Sequence, residues 1–333
     1  MTSLLNNLLG PADRVLDGLG RTRMRDWPVA VLFAGPALAL LALFGVAPLF
    51  YALYMSLFSV RRGETLGFVG LGNYAEAVHS SDFWNSVSVT VYYAAGTIPV
   101  SLALSFLVAS ALHRIVRGRG IFRTLYFLPY VTSIVAAATV WRVILNPQGG
   151  LANALLRYAG FESTPFSQWL LEPKGVLHLV TAGFVPIDVG PSLALCCIIV
   201  FEIWHSMGFM IVVFLAGLTA LPRELEESAR LDGANWLQTT RSITLPLLSP
   251  TTFFLVIVSV IKAFQAFDSF YALTENGLGP ARTTENMTVS IFANFYLYGR
   301  QGYGAAIATL LALAIVGLTV FQWRFLGKRV HYE

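Results

Sequence analysis

Charge is what this chain has least of. Asp, Glu, Lys and Arg together make up 12% of its 333 residues, against 56% hydrophobic ones. A soluble globular domain carries roughly 25% charged and about 45–50% apolar residues, so the shortfall excludes that class and leaves a chain that crosses a membrane several times. Lysine is confined to Lys174, Lys262 and Lys328, so arginine carries most of the net charge of +4. Cysteine is confined to the neighbours Cys196 and Cys197. Adjacent helical residues point about 100° apart, so the two do not easily bridge each other and are read as packing residues. GxxxxGK[ST], HExxH and CxxC are all missing. The chain therefore has no signature for a nucleotide or metal of its own.

What is present is a series of long apolar runs, at about Pro28–Phe58, Phe83–Leu112, Ile121–Leu145, Leu193–Leu218, Pro250–Leu273 and Gly304–Phe325. Each is long enough to cross roughly 30 Å of hydrocarbon, with tilt for the longer ones. The first exceeds a signal-peptide core and lacks a clear cleavage site, so it reads as an uncleaved span. Residues 1–27 hold Arg14, Arg21, Arg23 and Arg25 beside SLLNNLLG; a piece lying on the membrane surface and a frayed tail both fit. The expected organisation is a cytoplasmic segment over 1–27 and an all-α membrane domain over 28–333, with six spans and both termini inside a bacterial-type plasma membrane. That orientation puts fourteen Lys and Arg residues inside and six outside, the bias that sets topology. It also accounts for the positive charge without a nucleic-acid partner. The stretch Gly175–Gly190 is short for a span and carries His178, Pro186 and Asp188. It is expected to be a re-entrant or interfacial piece outside rather than a seventh crossing.

Between the fourth and fifth spans lies a polar loop of about 30 residues, Leu221–Pro250, and long ordered connections usually have a function. Glu224 to Leu231 favours a helix, with Glu227 and Arg230 three residues apart. Gly233 can take positive φ and end it, and Ala234 to Thr240 can form a second short helix. The result is a compact knob with small residues (Ser228, Ala229, Gly233, Ala234) on its surface, suited to close approach by another protein. Glu227 offers a charge to a basic partner. The spacing Glu227-Ser228-Ala229, Gly233, Ile243-x-Leu245-Pro246 resembles the EAA motif, E-A-A-x3-G-x9-I-x-L-P, of the membrane subunits of binding-protein-dependent ABC importers, with Ser228 in place of the first alanine. FLAGLTALPRELEESARLDGA, ITLPLLSPT, FRTLYFLPY (Phe122–Tyr130) and FVGLGNY (Phe68–Tyr74) are similar to the carbohydrate-uptake subfamily that includes maltose and glycerol-3-phosphate permeases.

The resemblance implies a type I ABC importer permease fold and a coupling helix seated in a cleft of a cytoplasmic ATPase. Glu227, Ser228, Ala229, Asp232, Gly233 and Ala234 would be the ATPase-coupling residues. It also implies a second permease subunit, expected to be a different chain, two ATPase subunits that hold the ATP and Mg, and an extracytoplasmic binding protein that delivers a sugar-like substrate. No cofactor is expected on this chain.

Polar groups at membrane depth are functional candidates. Glu202, His205, Ser206 and Phe209 share one helical face at i, i+3, i+4, i+7. In the fifth span Lys262, Gln265, Asp268 and Ser269 fall within an arc of about 120° at 100° per residue, with Tyr271 just beyond. Carboxylate, amide and hydroxyl groups beside aromatic rings suit a polyhydroxylated ligand. Two readings stay open: these residues line a substrate pathway, or they pack the bundle, with Lys262 paired to Glu202 or Asp268. His205 lacks a second histidine at ligand spacing, so a metal role is not expected. The family's T-x-G-G-P after the fifth span is here Thr274-Glu275-Asn276-Gly277-Leu278-Gly279-Pro280, with the glycines split. Two other classes compete: an ion-coupled secondary transporter acting without an ATPase, with Glu202, Lys262 and Asp268 as ion sites, and an intramembrane enzyme, for which no nucleophile–base pair is visible.

Overall fold

The computed structural model describes residues 27–114, 118–161, 167–181, 184, 186 and 190–327. Contacts divide the chain after Met55 into two compact units. In the first, α1 (Trp27–Leu41), a π-helical turn (Ala42–Val46) and α2 (Ala47–Ser56) follow one another. The stretch Val31–Ser56 is long and apolar enough to cross a membrane. The expected tail over 1–27 lies, except for Trp27, outside the described residues.

The second unit begins with an antiparallel hairpin of β1 (Phe58–Arg61) and β2 (Glu64–Phe68), followed by α3 (Gly72–His79). Asn73 fixes this corner by donating to the Ser56 and Phe58 carbonyls at 2.7 and 2.9 Å. Three long apolar helices follow in chain order: α4 (Ser81–Arg114), then α9 (Leu193–Ala220), and finally α16 (Gln301–Phe325). In α4, Ser86, Thr90, Ala94, Thr97, Ser101, Ser105 and Ala109 are all buried, a small-residue stripe at near-helical repeat. Lipid gives little hydrophobic drive for helix association, so small side chains that permit close approach take over. α9 packs along α4 and along α5 (Arg119–Val131). A Cβ at Gly96 would sit 2.9 Å from Ile199, and one at Gly208 would collide with the Tyr126 carbonyl. Cys196 and Cys197 are both free and sit in α9, the first half-buried and the second buried.

Of the six expected spans, one is a bent pair and another is interrupted. Ile121–Leu145, expected as one crossing, is α5 followed by α6 (Ile134–Ile144) with a 92° bend between them. Pro129 removes one ladder donor in the last turn of α5. Thr132 and Ser133 then turn extended, and Thr132 Oγ1 donates back to the Leu128 carbonyl at 2.8 Å. The fifth run also departs from a continuous helix: α13 (Ser249–Phe264) stops, three residues intervene, and α14 (Asp268–Leu273) resumes. The Ala266 carbonyl freed at that break accepts from Asn286 Nδ2 and Thr288 Oγ1, both at 2.6 Å. A projection of 100° per residue therefore fails beyond Phe264, and the single arc expected of Lys262, Gln265, Asp268 and Ser269 does not exist.

The connection before α9 contains α7 (Leu151–Tyr158) and α8 (Val176–Val180). A Gly175–Ser192 bridge closes the second half of the connection. Among the described residues it has no helix long enough to cross, in keeping with six crossings.

Candidate functional site

The polar loop folds much as its sequence suggests. α10 (Arg223–Leu231) ends where Gly233 takes φ +79°, and the Ala234 amide returns to the Ala229 carbonyl at 2.9 Å. That six-to-one bond closes a Schellman-type stop. A Cβ at Gly233 would meet nothing within 4 Å, so the glycine is required for its backbone angle and not for space. α11 (Trp236–Thr239) starts with a capping box in which Asn235 Oδ1 accepts from the Gln238 amide (2.9 Å) and Gln238 Oε1 accepts from the Asn235 amide (2.8 Å). It runs into a π turn, Thr240–Thr244, then α12 (Leu245–Leu247), and bends 70° into α13.

Glu227, Ser228, Asp232 and Gly233 are exposed on this knob and Ala234 is half-buried. Ala229 corrects the expectation of a surface residue, because it is 7% exposed and faces inward. The Arg230 side chain, expected to pair with Glu227, lies outside the described residues.

A second site opens where α4, α5, α9 and α13 converge. The cleft, with about 40 Å3 of free space, is lined by Tyr93, Thr97, Tyr130, Glu202, Ser206, Phe209, Ser259 and Lys262 among others. The Lys262 ammonium donates to Tyr130 Oη at 3.1 Å. It also lies about 5 Å from the centroids of the Tyr130 and Phe209 rings, which stack on each other at 5.4 Å. Among the described residues Lys262 has no carboxylate within 4 Å, and in place of the pairing with Glu202 or Asp268 left open by the sequence it has an aromatic seat. Glu202 instead lies beside Tyr93 and Ser269. Thr97 Oγ1 and Ser206 Oγ are buried without a hydrogen-bond partner. Burying such groups costs free energy unless something supplies the bond, and a water, or one hydroxyl of a solute at the open mouth, is able to.

The predicted pathway residues are thus split. Glu202, Ser206 and Phe209 line the cleft. His205 is buried behind it against Phe201 and Tyr130, and Ser269 is buried beneath Glu202. Gln265 and Asp268 sit exposed at the helix break, away from the cleft, and Tyr271 stacks on Phe267 at 5.3 Å. Tyr93, Thr97 and Tyr130 were missed, because α4 and α5 carry no charged residue at that depth to mark them. Tyr130 closes the quoted FRTLYFLPY stretch, the one sequence signal available.

Beyond the break, a charged clamp holds the loop that follows α14. Glu285, fully buried, accepts two bonds from Arg282 at 2.5 and 3.0 Å, and Arg282 also reaches Asp82 on α4 at 2.5 Å. The bonds to Glu285 first, and then to Asp82, raise the guanidinium pKa further above its ordinary value against partial burial. The split glycines both keep positive φ, +78° at Gly277 and +66° at Gly279, so the turn survives the departure from T-x-G-G-P. α15 (Met287–Phe292) then starts on an Asn286 cap.

Comparison with known proteins points the same way. The model of the family described as binding-protein-dependent transport system inner membrane component matches residues 69–331. The chain is 34% identical over 307 residues to the sn-glycerol-3-phosphate transport system permease protein of Agrobacterium fabrum, covering 90% of this chain and 95% of the relative. It is 30% identical over 305 residues to the trehalose/maltose transport system permease protein of Thermococcus litoralis, covering 90% and 94%. A chain from the crystal structure of a bacterial ABC transporter involved in import of the acidic polysaccharide alginate superposes with a TM-score of 0.75 at 19% identity, over 93% of this chain and 98% of that one.

Proposed function

The chain belongs to the binding-protein-dependent transport system inner membrane components, and on that basis we propose that it moves a sugar, or a related polyol or oligosaccharide, inward at the expense of ATP hydrolysed by another subunit. The observation that carries the ATP-driven reading is the knob at 223–240. Its exposed Glu227, Ser228 and Gly233 keep the EAA-type spacing on a glycine-stopped helix, with Asp232 exposed beside them, as a surface seated in a partner's cleft requires.

In this reading the knob faces the cytoplasm, as the excess of basic residues on that side favours, and both termini lie there too. The assembly contains a second permease subunit, two ATPase subunits that bind ATP and Mg, and an extracytoplasmic binding protein that hands over the substrate. Nucleotide-driven closure of the ATPases pulls on the knobs and switches the access of a site near the membrane midplane. The sugar class is supported by the names of the relatives and by the cleft, where unpartnered hydroxyls, a carboxylate and an ammonium stand beside stacked rings. Gln265, Asp268 and Tyr271, exposed at the break, would extend the pathway beyond the cleft.

The test is co-purification with an ATPase, and ATP-driven uptake of labelled maltose and sn-glycerol 3-phosphate in liposomes, before and after Glu227→Lys with Gly233→Trp. Loss of association or of uptake is expected; no change in either would sink the coupling role. Uptake by the isolated chain under an ion gradient alone would favour an ion-coupled carrier instead.

A further inference from the structure

The knob and the membrane helices are joined unevenly. Where the chain re-enters the helix bundle, Leu248 is 1% exposed and packs with Leu112, Phe214, Leu218 and Leu255. A Cβ at Gly217 would come within 2.7 Å of Leu248, so that point is close-packed. Between that anchor and α10 the opposite holds. A cavity of about 250 Å3 separates the last turn of α4 from the loop, with Ser110, His113 and Arg114 on one wall and Glu226, Ala234, Trp236, Thr240 and Thr244 on the other. Among the described residues the Arg114 guanidinium bridges the walls, lying over the Trp236 ring 5.6 Å from its centroid.

We propose that Arg114 and Trp236 form the joint through which movement of the knob is passed to α4, the helix that also supplies Tyr93 and Thr97 to the cleft. This deepens the coupling role given to the knob and rests on it. Both are positioning residues. A planar cation on an aromatic face tolerates sliding and small rotation while resisting separation, because the attraction follows the distance to the ring face. A hollow beneath the knob lets it tilt, since no close-packed side chains oppose the motion. The base of the loop is held at Leu248, so a tilt of α10 and α11 about that point reaches α4 through this contact.

The experiment uses the assembled transporter, with its ATPase and binding protein, in liposomes. It reads the amount of labelled maltose or sn-glycerol 3-phosphate carried, whichever is taken up, per ATP hydrolysed. Arg114→Met and Trp236→Leu keep bulk but remove the cation or the ring, and each is expected to lower that ratio about two- to fivefold, the factor a cation–π contact of ordinary strength corresponds to. Arg114→Lys and Trp236→Phe should restore most of it, which a packing role would not require. A spin-label pair at Ala111→Cys and Leu231→Cys, with Cys196 and Cys197 changed to serine, gives a readout that needs only MgATP. The distance between the labels should stay narrow on nucleotide binding when the joint is intact, and broaden when it is removed. Unchanged ratios and distances in the Met and Leu variants, while Glu227→Lys still abolishes coupling, would overturn the joint and leave the coupling role standing. Loss of effect in Glu227→Lys as well would overturn both.

Discussion

The two ends of the broken fifth span are built on opposite principles. At the α14 end, irregular backbone is locked by buried side chains: Asn286 and Thr288 hold the Ala266 carbonyl, and Arg282 ties the buried Glu285 to Asp82. At the knob end, the charged groups Glu227 and Asp232 stay exposed, hydrogen bonds are local, and a hollow replaces packing. The first arrangement suits a part that must hold its shape where backbone groups would otherwise go unsatisfied at membrane depth. The second suits a part that must dock and move. Substitutions at the first end should therefore cost stability, and those at the second should cost function alone.

The largest effect is expected at the clamp. Arg282→Ala leaves the Glu285 carboxylate buried without its cation. Breaking a fully buried pair costs about 3–5 kcal/mol, and the 35% exposure of the Arg282 side chain reduces this to about 2–3 kcal/mol through solvent screening. Thermal unfolding in detergent should show it, and Arg282→Met with Glu285→Leu should recover most of the loss. A variant as stable as the parent would remove the contrast between the ends. Next comes Asn286→Ala, which strips one bond from the Ala266 carbonyl and the cap from α15, for about 1–3 kcal/mol by the same measurement.

The knob was legible in the sequence and the clamp was not, for a physical reason. Gly233, Asn235 and the helix-forming run before them act within a few residues, so their spacing encodes the turn directly. Arg282 and Asp82 meet through a chain separation of 200 residues, which no local pattern records. The cleft falls between these cases. Helical periodicity correctly put Glu202, Ser206 and Phe209 on one face. It failed across the break after Phe264, where the helical repeat stops, and so grouped Gln265 and Asp268 with Lys262. Ala229 was misplaced because small size signals close approach without saying by which neighbour. The type I ABC importer permease fold and the number of apolar runs were readable from hydropathy and the motif, while the 92° bend depended on Pro129 and the break after Phe264 on side chains distant in sequence.

A middle tier of effects tests the cleft. Lys262→Met and Glu202→Gln should lower uptake by about tenfold or more, as loss of a charged hydrogen-bonding group does, with little change in thermal midpoint. Gln265→Ala and Asp268→Ala should lower it less, since these side chains stand outside the cleft. The reverse ranking would move the solute's contacts to the break.

The smallest effect should come from Asn235→Ala on the knob. It removes the bond that the Asn235 side chain accepts from the Gln238 amide and leaves the main-chain amide of residue 235 to donate to Gln238 Oε1. Such caps contribute about 0.5–2 kcal/mol, but α11 is a single turn, so the loss is confined to local fraying. Hydrogen exchange at the amides of residues 236–240 should speed up several-fold while the unfolding midpoint hardly moves. If the midpoint instead fell as far as in Arg282→Ala, the knob would be bound into the cooperative core, and its design for motion would have to be given up.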